Sequence, residues 1–178
     1  ASIANNQIDN QWLIPGVLSS RVWIRQDNAA CQDLLCSWAE PLSASANLLL
    51  GREYPYGYLN TAWKWLIQNH PHDSICGCSI DAVHEDMKFR FSQCRGIANR
   101  LTVDAATKLA ASVQGDVAPN ELRVVVFNPL ARALDQTVEL TLEIPVDWPA
   151  FNEFFGFEPK PSFRVYDAGA LVSVTNPL

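Results

Sequence analysis

The feature that most constrains the fold is a helical periodicity between residues 80 and 109. Apolar side chains recur there at three- and four-residue spacings over about eight turns, which places them on one face of a helix. A helix with one long apolar face needs partners to cover it, so the sequence predicts a helix bundle. Ser79 as N-cap and Asp81 in the first turn mark the predicted start. The stripe contains Ile80, Val83, Met87, Phe91, Cys94, Ile97, Leu101, Ala105 and Leu109.

Two shorter helical patterns precede this stripe. The first places its apolar residues on one face over residues 31–49 and ends at Gly51, which suits a helix C-terminus. Pro41 lies inside it, where the missing N–H predicts a kink or a break. The second covers about residues 59–69, because Pro71 disfavours helical geometry at the preceding residue. Three amphipathic helices with short connections predict an antiparallel three-helix bundle.

The composition changes after residue 120. Strand patterns, rich in β-branched residues and partly alternating, cover residues 122–130, 136–145, 162–167 and 171–175. Strands that follow helices, instead of alternating with them, indicate an α+β chain in sequence-segregated units. We expect a three-helix-bundle middle domain over residues 1–118 and the start of a C-terminal β-sandwich over residues 119–178. The sandwich is expected to be partial and truncated, because so few strands would leave open edges.

Bulk composition narrows the function classes. With 48% hydrophobic and 18% charged residues, the chain is able to bury a core. The net charge of −6 argues against a nucleic-acid partner, which needs a basic face. The sequence contains no secretory signal pattern and no apolar run long enough to cross a membrane. An odd number of cysteines, five, favours reduced thiols and a cytoplasmic location.

The stretch "NHPHDSICGCS", residues 69–79, holds the densest set of chemically active side chains. It contains two of the three histidines, one aspartate and two cysteines. His72 and Asp73 are of the types that bind zinc, and His84 is a third candidate. Adjacent residues rarely chelate one ion together, so spacing alone predicts no complete metal site. Judged by spacing alone, the stretch is a hairpin loop between two helices, and its histidines bind no metal.

Two other kinds of chemistry fit the residue types but not their spacing. One residue separates Cys76 from Cys78, whereas the oxidoreductase motif has two. Nucleophilic catalysis by Ser74 or Cys76, with His72 as the base, would need the two side chains to face each other, which residues so close in sequence seldom do. The simplest interpretation is that small residues let the backbone turn tightly into the next helix.

The longer stretch "NHPHDSICGCSIDAVHEDM", after "AWKWLIQ" and before a long helix, resembles the class II α-mannosidases of glycoside hydrolase family 38. Their bacterial, intracellular branch is the most similar. Upstream, "GVLSSRVWIRQDN" and "LLCSWAEPLSA" resemble the beginning of that family's helical middle domain. Downstream, "LRVVVFNPLAR" resembles the beginning of its C-terminal β-sandwich region. The resemblance covers nearly the whole chain, and the His-Asp stretch is its most specific part.

The resemblance implies a retaining hydrolase of terminal α-mannosyl linkages with one Zn²⁺ held by two His and two Asp side chains. It implies that His72 is one of these ligands and that Asp73 contacts substrate hydroxyls beside the metal. The nucleophile, the general acid and the other ligands are implied to lie on an N-terminal β/α domain, for which this sequence shows no pattern. We therefore expect no catalytic residue in this chain and no activity from it alone. Its expected partners are an α-mannoside, that domain and the remainder of the C-terminal β domain.

Several interpretations stay open at this point. A non-catalytic helical interaction module or a carbohydrate-binding module remains an alternative function. His70 either supports the zinc site or is structural, and His84 is expected on the surface or in the seam of the bundle. Arg21 is expected to form a structural ion pair. The aromatic segment of residues 52–58 either lines a sugar pocket or packs as a plain loop.

Overall fold

A computed structural model describes residues 20–128, 130–151, 160–161, 163–167 and 169–172. The chain separates into two compact units. The first comprises residues up to 115 together with 124–133, and the second comprises residues 116–123 and 134 onwards. The expected boundary between residues 118 and 119 stays a prediction. None of the helices in the described part is long and apolar enough to span a membrane.

The described helices all lie in the first unit. Three of their segments follow one another without a break and form one long helix over residues 23–50, so the unit has three long helices and one short one. In chain order the segments are α1 (Trp23–Asp33), a π-helical segment (Leu34–Ala39), α2 (Glu40–Leu50), α3 (Tyr56–Ile67), α4 (His72–Cys76) and α5 (Asp81–Ala111).

The first long helix and α5 run in the same direction. Asp27, near the start of the first long helix, accepts a hydrogen bond at 2.6 Å from Arg95 in the middle of α5. Further along both, a second apolar cluster joins α2 to the last part of α5. Its buried members are Leu42, Ala46, Ala105 and Leu109. Because the paired residue numbers rise together along the two helices, the helices are parallel.

The chain through α3 runs in the opposite direction. His70, just after α3, lies 2.7 Å from Asn28 in the middle of α1. Trp63, inside α3, donates a hydrogen bond to Glu40 at the start of α2. Here one residue number falls as the other rises, so α3 is antiparallel to the first long helix and to α5. The predicted antiparallel three-helix bundle is confirmed.

The main core lies between these three helices. Met87, Phe91 and Cys94 of the predicted stripe on α5 are buried there, and Ile80 is exposed. Ile80 takes the N-cap position that was predicted for Ser79, so it precedes the helical face instead of belonging to it. His84 is buried in the seam of the bundle. The buried residues are Ile24, Cys31, Leu35, Ala39, Leu59, Ala62, Leu66, Met87, Phe91, Cys94 and Ala98.

Pro41 does not break the first long helix, contrary to one of the two predicted outcomes. The residues before it form the π-helical segment, in which the Glu40 N–H donates to the Leu35 carbonyl five residues back. The wider π-turn brings the chain into α2 with Pro41 in its first turn, where a missing N–H is tolerated. Gly51 ends the helix in the left-handed conformation, as predicted.

The strand predictions are only partly confirmed. Val165–Asp167 (β3) pairs antiparallel with Ala170–Val172 (β4), and Ala150–Phe151 (β1) pairs with Lys160–Pro161 (β2). Residues 162 and 173–175 of the predicted strands lie outside the described part. Residues 136–145 and the described residues of 122–130 form no strand. Phe127, in the second of these segments, packs instead against the second apolar cluster of the bundle. An alternating segment forms a strand only where a neighbour completes its hydrogen bonds.

Two phenylalanines on α5 allow a matched test of the bundle core. Phe91 is 1% exposed and packs edge-on against Trp23, whereas Phe89 is 57% exposed and packs edge-on against Trp65. Phe91→Ala should lower the free energy of unfolding by about 3–5 kcal/mol, because it leaves a cavity in a closed core. Phe89→Ala should cost about 1 kcal/mol. Urea denaturation measures both values, and equal losses would contradict the described packing.

Candidate functional site

The His-Asp stretch forms a short helix, α4, between α3 and α5. Pro71 is extended, with φ −47° and ψ 138°, so α3 cannot continue and a new helix begins at His72. Gly77 ends α4 in the left-handed region with φ 82°. The backbone carbonyl of Asp73 accepts hydrogen bonds from the N–H groups of Cys78 and Ser79 at 3.1 and 3.3 Å. The predicted tight turn made of small residues is therefore present at the end of α4.

His72 and Asp73 lie side by side at the beginning of α4 and face solvent. The side chains are 91% and 64% exposed, and His72 Nε2 lies 3.3 Å from Asp73 Oδ1. Imidazole nitrogen and carboxylate oxygen are both zinc ligand types. Two accessible donors of these types fit a metal site that other residues complete.

The described residues do not complete such a site. They contain no group of three or more His, Cys, Asp or Glu side chains placed to hold a metal ion. His84, the third candidate from the sequence, is 2% exposed and so does not join the solvent-facing pair. The roles of His72 as a metal ligand and of Asp73 as a substrate contact therefore stay predictions.

The exposed thiol of Cys78 modifies the surroundings of Asp73. Its Sγ donates to Asp73 Oδ1 at 3.4 Å and to the Asp73 carbonyl at 3.6 Å. This hydrogen bond to a carboxylate raises the pKa of Cys78 above its usual value. The protonated thiol is thus favoured, which is the opposite of what a redox or nucleophilic cysteine needs. Cys76 and Cys78 are both free thiols.

His70 has a structural hydrogen-bond partner on another helix. His70 is half-buried, and its ring nitrogen lies 2.7 Å from Asn28 Oδ1, which links the end of α3 to α1. Asn69 beside it is fully buried and donates to the Met87 carbonyl at 3.4 Å. Sequence periodicity did not identify Asn69, because a polar residue at a helix end resembles a solvent-facing one. These contacts fix the chain just before Pro71 and hence the position at which α4 begins.

The aromatic loop before α3 is a separate feature. Tyr56 and Tyr58 are exposed and help to line an open cavity of about 650 Å³. Glu53 and Thr61 contribute to the same cavity. The loop lies at the start of α3, and His72 follows its end, so about 18 Å of helix separates the two. The aromatic residues therefore do not line the surroundings of His72 and Asp73.

Two relatives are named for mannosylglycerate hydrolase or alpha-mannosidase activity. The chain is 38% identical over 112 residues to a protein of Halalkalibacterium halodurans whose name assigns it provisionally to the mannosylglycerate hydrolases. It is 30% identical over 123 residues to the human protein Alpha-mannosidase 2C1. These matches cover 62% and 66% of this chain but only 12% and 11% of the two relatives.

Two solved structures of Enterococcus faecalis proteins also resemble the chain. An alpha-mannosidase from Enterococcus faecalis matches with a TM-score of 0.53 and 42% identity, over 55% of this chain and 11% of its own. A protein in the Glycosyl Hydrolase Family 38 from the same organism matches with a TM-score of 0.51 and 44% identity, over 52% of this chain and 11% of its own. The chain thus spans about a ninth of these proteins.

The sequence model of the alpha mannosidase middle domain matches residues 13–109, which is more than half of the chain. That interval contains the long helices and α4 almost completely. The predicted resemblance to glycoside hydrolase family 38 is confirmed, and the chain belongs to the alpha mannosidase middle domain family.

Proposed function

We propose that this chain is the middle domain of a longer, zinc-dependent, retaining α-mannosidase that hydrolyses terminal α-mannosyl linkages. The observation that carries the proposal is the pair His72 and Asp73, 3.3 Å apart and open to solvent at one end of the bundle. Relatives named for mannosidase or mannosylglycerate hydrolase activity support a mannoside substrate. Their much greater length supports the presence of further domains in the longer protein.

His72 and Asp73 have different proposed roles. His72 would hold the zinc through its imidazole, together with ligands from an N-terminal β/α domain. Asp73 would accept hydrogen bonds from sugar hydroxyls, since an ionised carboxylate offers acceptor sites only. When bound, the zinc supplies Lewis-acid binding of oxygen and stabilisation of developing negative charge. The nucleophile and the general acid are proposed to lie outside this chain.

Two further parts of the proposal concern the C-terminal residues and the location. We assign residues 119–178 to the start of a β-sandwich. Apolar side chains such as Val126 and Val138 are exposed in these segments, and a second sheet packed against their face would bury them. A cytoplasmic location is supported by the five cysteines, all of which are free thiols.

The first test uses the longer protein proposed to contain this chain. His72→Ala removes a metal ligand, so zinc content per protein should fall and kcat/KM on an α-mannoside should drop by about 100-fold or more. Metal analysis and steady-state kinetics measure the two effects. Gln68→Ala, at an exposed position near the end of α3, is the matched control and should leave both unchanged.

Normal zinc content and activity in His72→Ala would refute the role of His72. The alternative functions, a helical interaction module or a carbohydrate-binding module without hydrolysis, would then be favoured. The exposed tyrosines of the aromatic loop would be the first place to look for sugar binding.

A second test uses the 178-residue chain alone. It should not hydrolyse a nitrophenyl α-mannoside, with or without added Zn²⁺, because the proposed nucleophile and general acid are not part of it. A colorimetric assay at high protein concentration measures the rate. Turnover that follows the protein concentration and survives repurification would disprove the proposed division of the catalytic groups.

A third test examines the hydrogen bond from the Cys78 thiol to the Asp73 carboxylate. The raised pKa of Cys78 lowers its thiolate fraction near pH 8, so alkylation by iodoacetamide should be slow. Asp73→Asn removes the negative charge, lowers the pKa of Cys78 towards its usual value, and should speed alkylation. The difference should vanish at high pH, where both proteins carry the thiolate.

Cys36 is the internal control in the same samples. It is exposed on the π-helical segment, and its own pKa is raised by burial and by Glu40 and Asp33, none of which changes in Asp73→Asn. Peptide mass spectrometry follows both sites together. An equal rate at Cys78 in the two proteins would contradict the hydrogen bond.

A further inference from the structure

Arg21 adopts an unusual backbone conformation. Its φ is +46°, and among the described residues it is the only one other than glycine with positive φ. Residues that carry a Cβ rarely adopt positive φ, because the Cβ crowds the following carbonyl oxygen. The conformation therefore persists only if contacts of Arg21 favour it.

The contacts of the Arg21 guanidinium supply that preference. One of its terminal nitrogens, Nη1, donates to the carbonyl oxygen of Gly77, the residue that ends α4. The other, Nη2, donates to Asp81 Oδ1 at 2.6 Å, in the first turn of α5. The ion pair predicted from the sequence is confirmed, and the same planar group also binds the end of α4. Its two arms thus span the connection from α4 to α5.

Ser20 strengthens the same contact. Its Oγ donates to the Gly77 carbonyl at 3.3 Å, and its own carbonyl accepts a hydrogen bond from Arg25 Nη1 at 3.0 Å. A Cβ on Gly77 would lie only 3.0 Å from the Ser20 carbonyl oxygen, so glycine is needed at this close approach. We call Ser20, Arg21, Gly77 and Asp81 the Arg21 clamp.

Few contacts outside this clamp hold the helix α4 in place. It has five residues, which is too short for a helix to persist without tertiary contacts. Ser74 is buried and Ile75 packs against the main core, which holds the middle of α4 down. One or two packed side chains leave the rotation of a single turn poorly determined. The clamp adds hydrogen bonds at the Gly77 end of α4.

We propose that Arg21 is a positioning residue for His72 and Asp73: by holding the Gly77 carbonyl and Asp81 together, it sets the orientation of α4. The proposal rests on the proposed function. Global stability is a poor alternative role, since Asp81 is 90% exposed and ion pairs of that kind contribute little to folding. The effect of removing Arg21 should therefore be local.

The experiment measures hydrogen exchange of the amides at the C-terminal end of α4 in the 178-residue chain. The N–H groups of Gly77, Cys78 and Ser79 donate to carbonyls of Ser74 and Asp73. In Arg21→Ala, hydrogen exchange of these three amides should be roughly tenfold faster, because each clamp bond to a charged group stabilises the closed form. Amides in the buried part of α5 and the urea midpoint should stay unchanged. Nuclear magnetic resonance measures each amide separately.

Two further variants separate charge from geometry. Arg21→Lys keeps the positive charge but lacks the fork that reaches two acceptors at once, so its exchange rates should be intermediate. Arg100→Ala is the matched control, because Arg100 also pairs with an aspartate on α5, at 3.1 Å, but lies far along the helix from α4. It should leave the three amides unchanged.

In the longer protein, Arg21→Ala should weaken zinc binding by about 10- to 100-fold and lower kcat, while its unfolding midpoint stays unchanged. Unchanged exchange of the three amides, or equally faster exchange throughout the bundle, would overturn the positioning role of Arg21, whether or not His72 binds zinc. Normal zinc binding in His72→Ala would instead refute the proposed function, and with it the link from α4 to zinc. The two failures are therefore distinguishable.

Discussion

Burial of the apolar face of α5 is the interaction on which the rest of the structure depends. Met87, Phe91 and Cys94 are fully or almost fully enclosed by the first long helix and by α3. This packing sets the register of the three helices and so determines where the chain between α3 and α5 must lie. That connection is the short helix α4, at whose start the candidate site residues stand.

The site itself is built from polar contacts on this packed frame. Hydrogen bonds from His70 and Asn69 fix the chain before α4, and the guanidinium of Arg21 fixes the chain after it. Such contacts contribute little net stability where they are exposed, but they restrict orientation. The frame thus supplies most of the free energy of folding and the polar contacts supply the direction. His72 and Asp73 can then remain solvent-facing without loss of order in the core.

The success of the sequence predictions follows the range of the forces involved. Helical periodicity, the end at Gly51 and the break at Pro71 are local, and the structure confirms them. The N-cap was placed one residue early at Ser79, because capping depends on backbone geometry that periodicity does not contain. The strands expected over residues 122–130 and 136–145 depend on distant pairing partners. Phe127 instead packs on the helical unit.

By itself, the amino-acid sequence determined the bundle, its family and the two candidate residues His72 and Asp73, because periodicity and a contiguous motif are written in neighbouring positions. Only the tertiary structure decided that His84 is buried and that Arg21 holds α4 to α5. Arg21 and Gly77 are 56 positions apart, and no local rule relates them. Their contact exists because helix packing brings the start of the first long helix beside the end of α4.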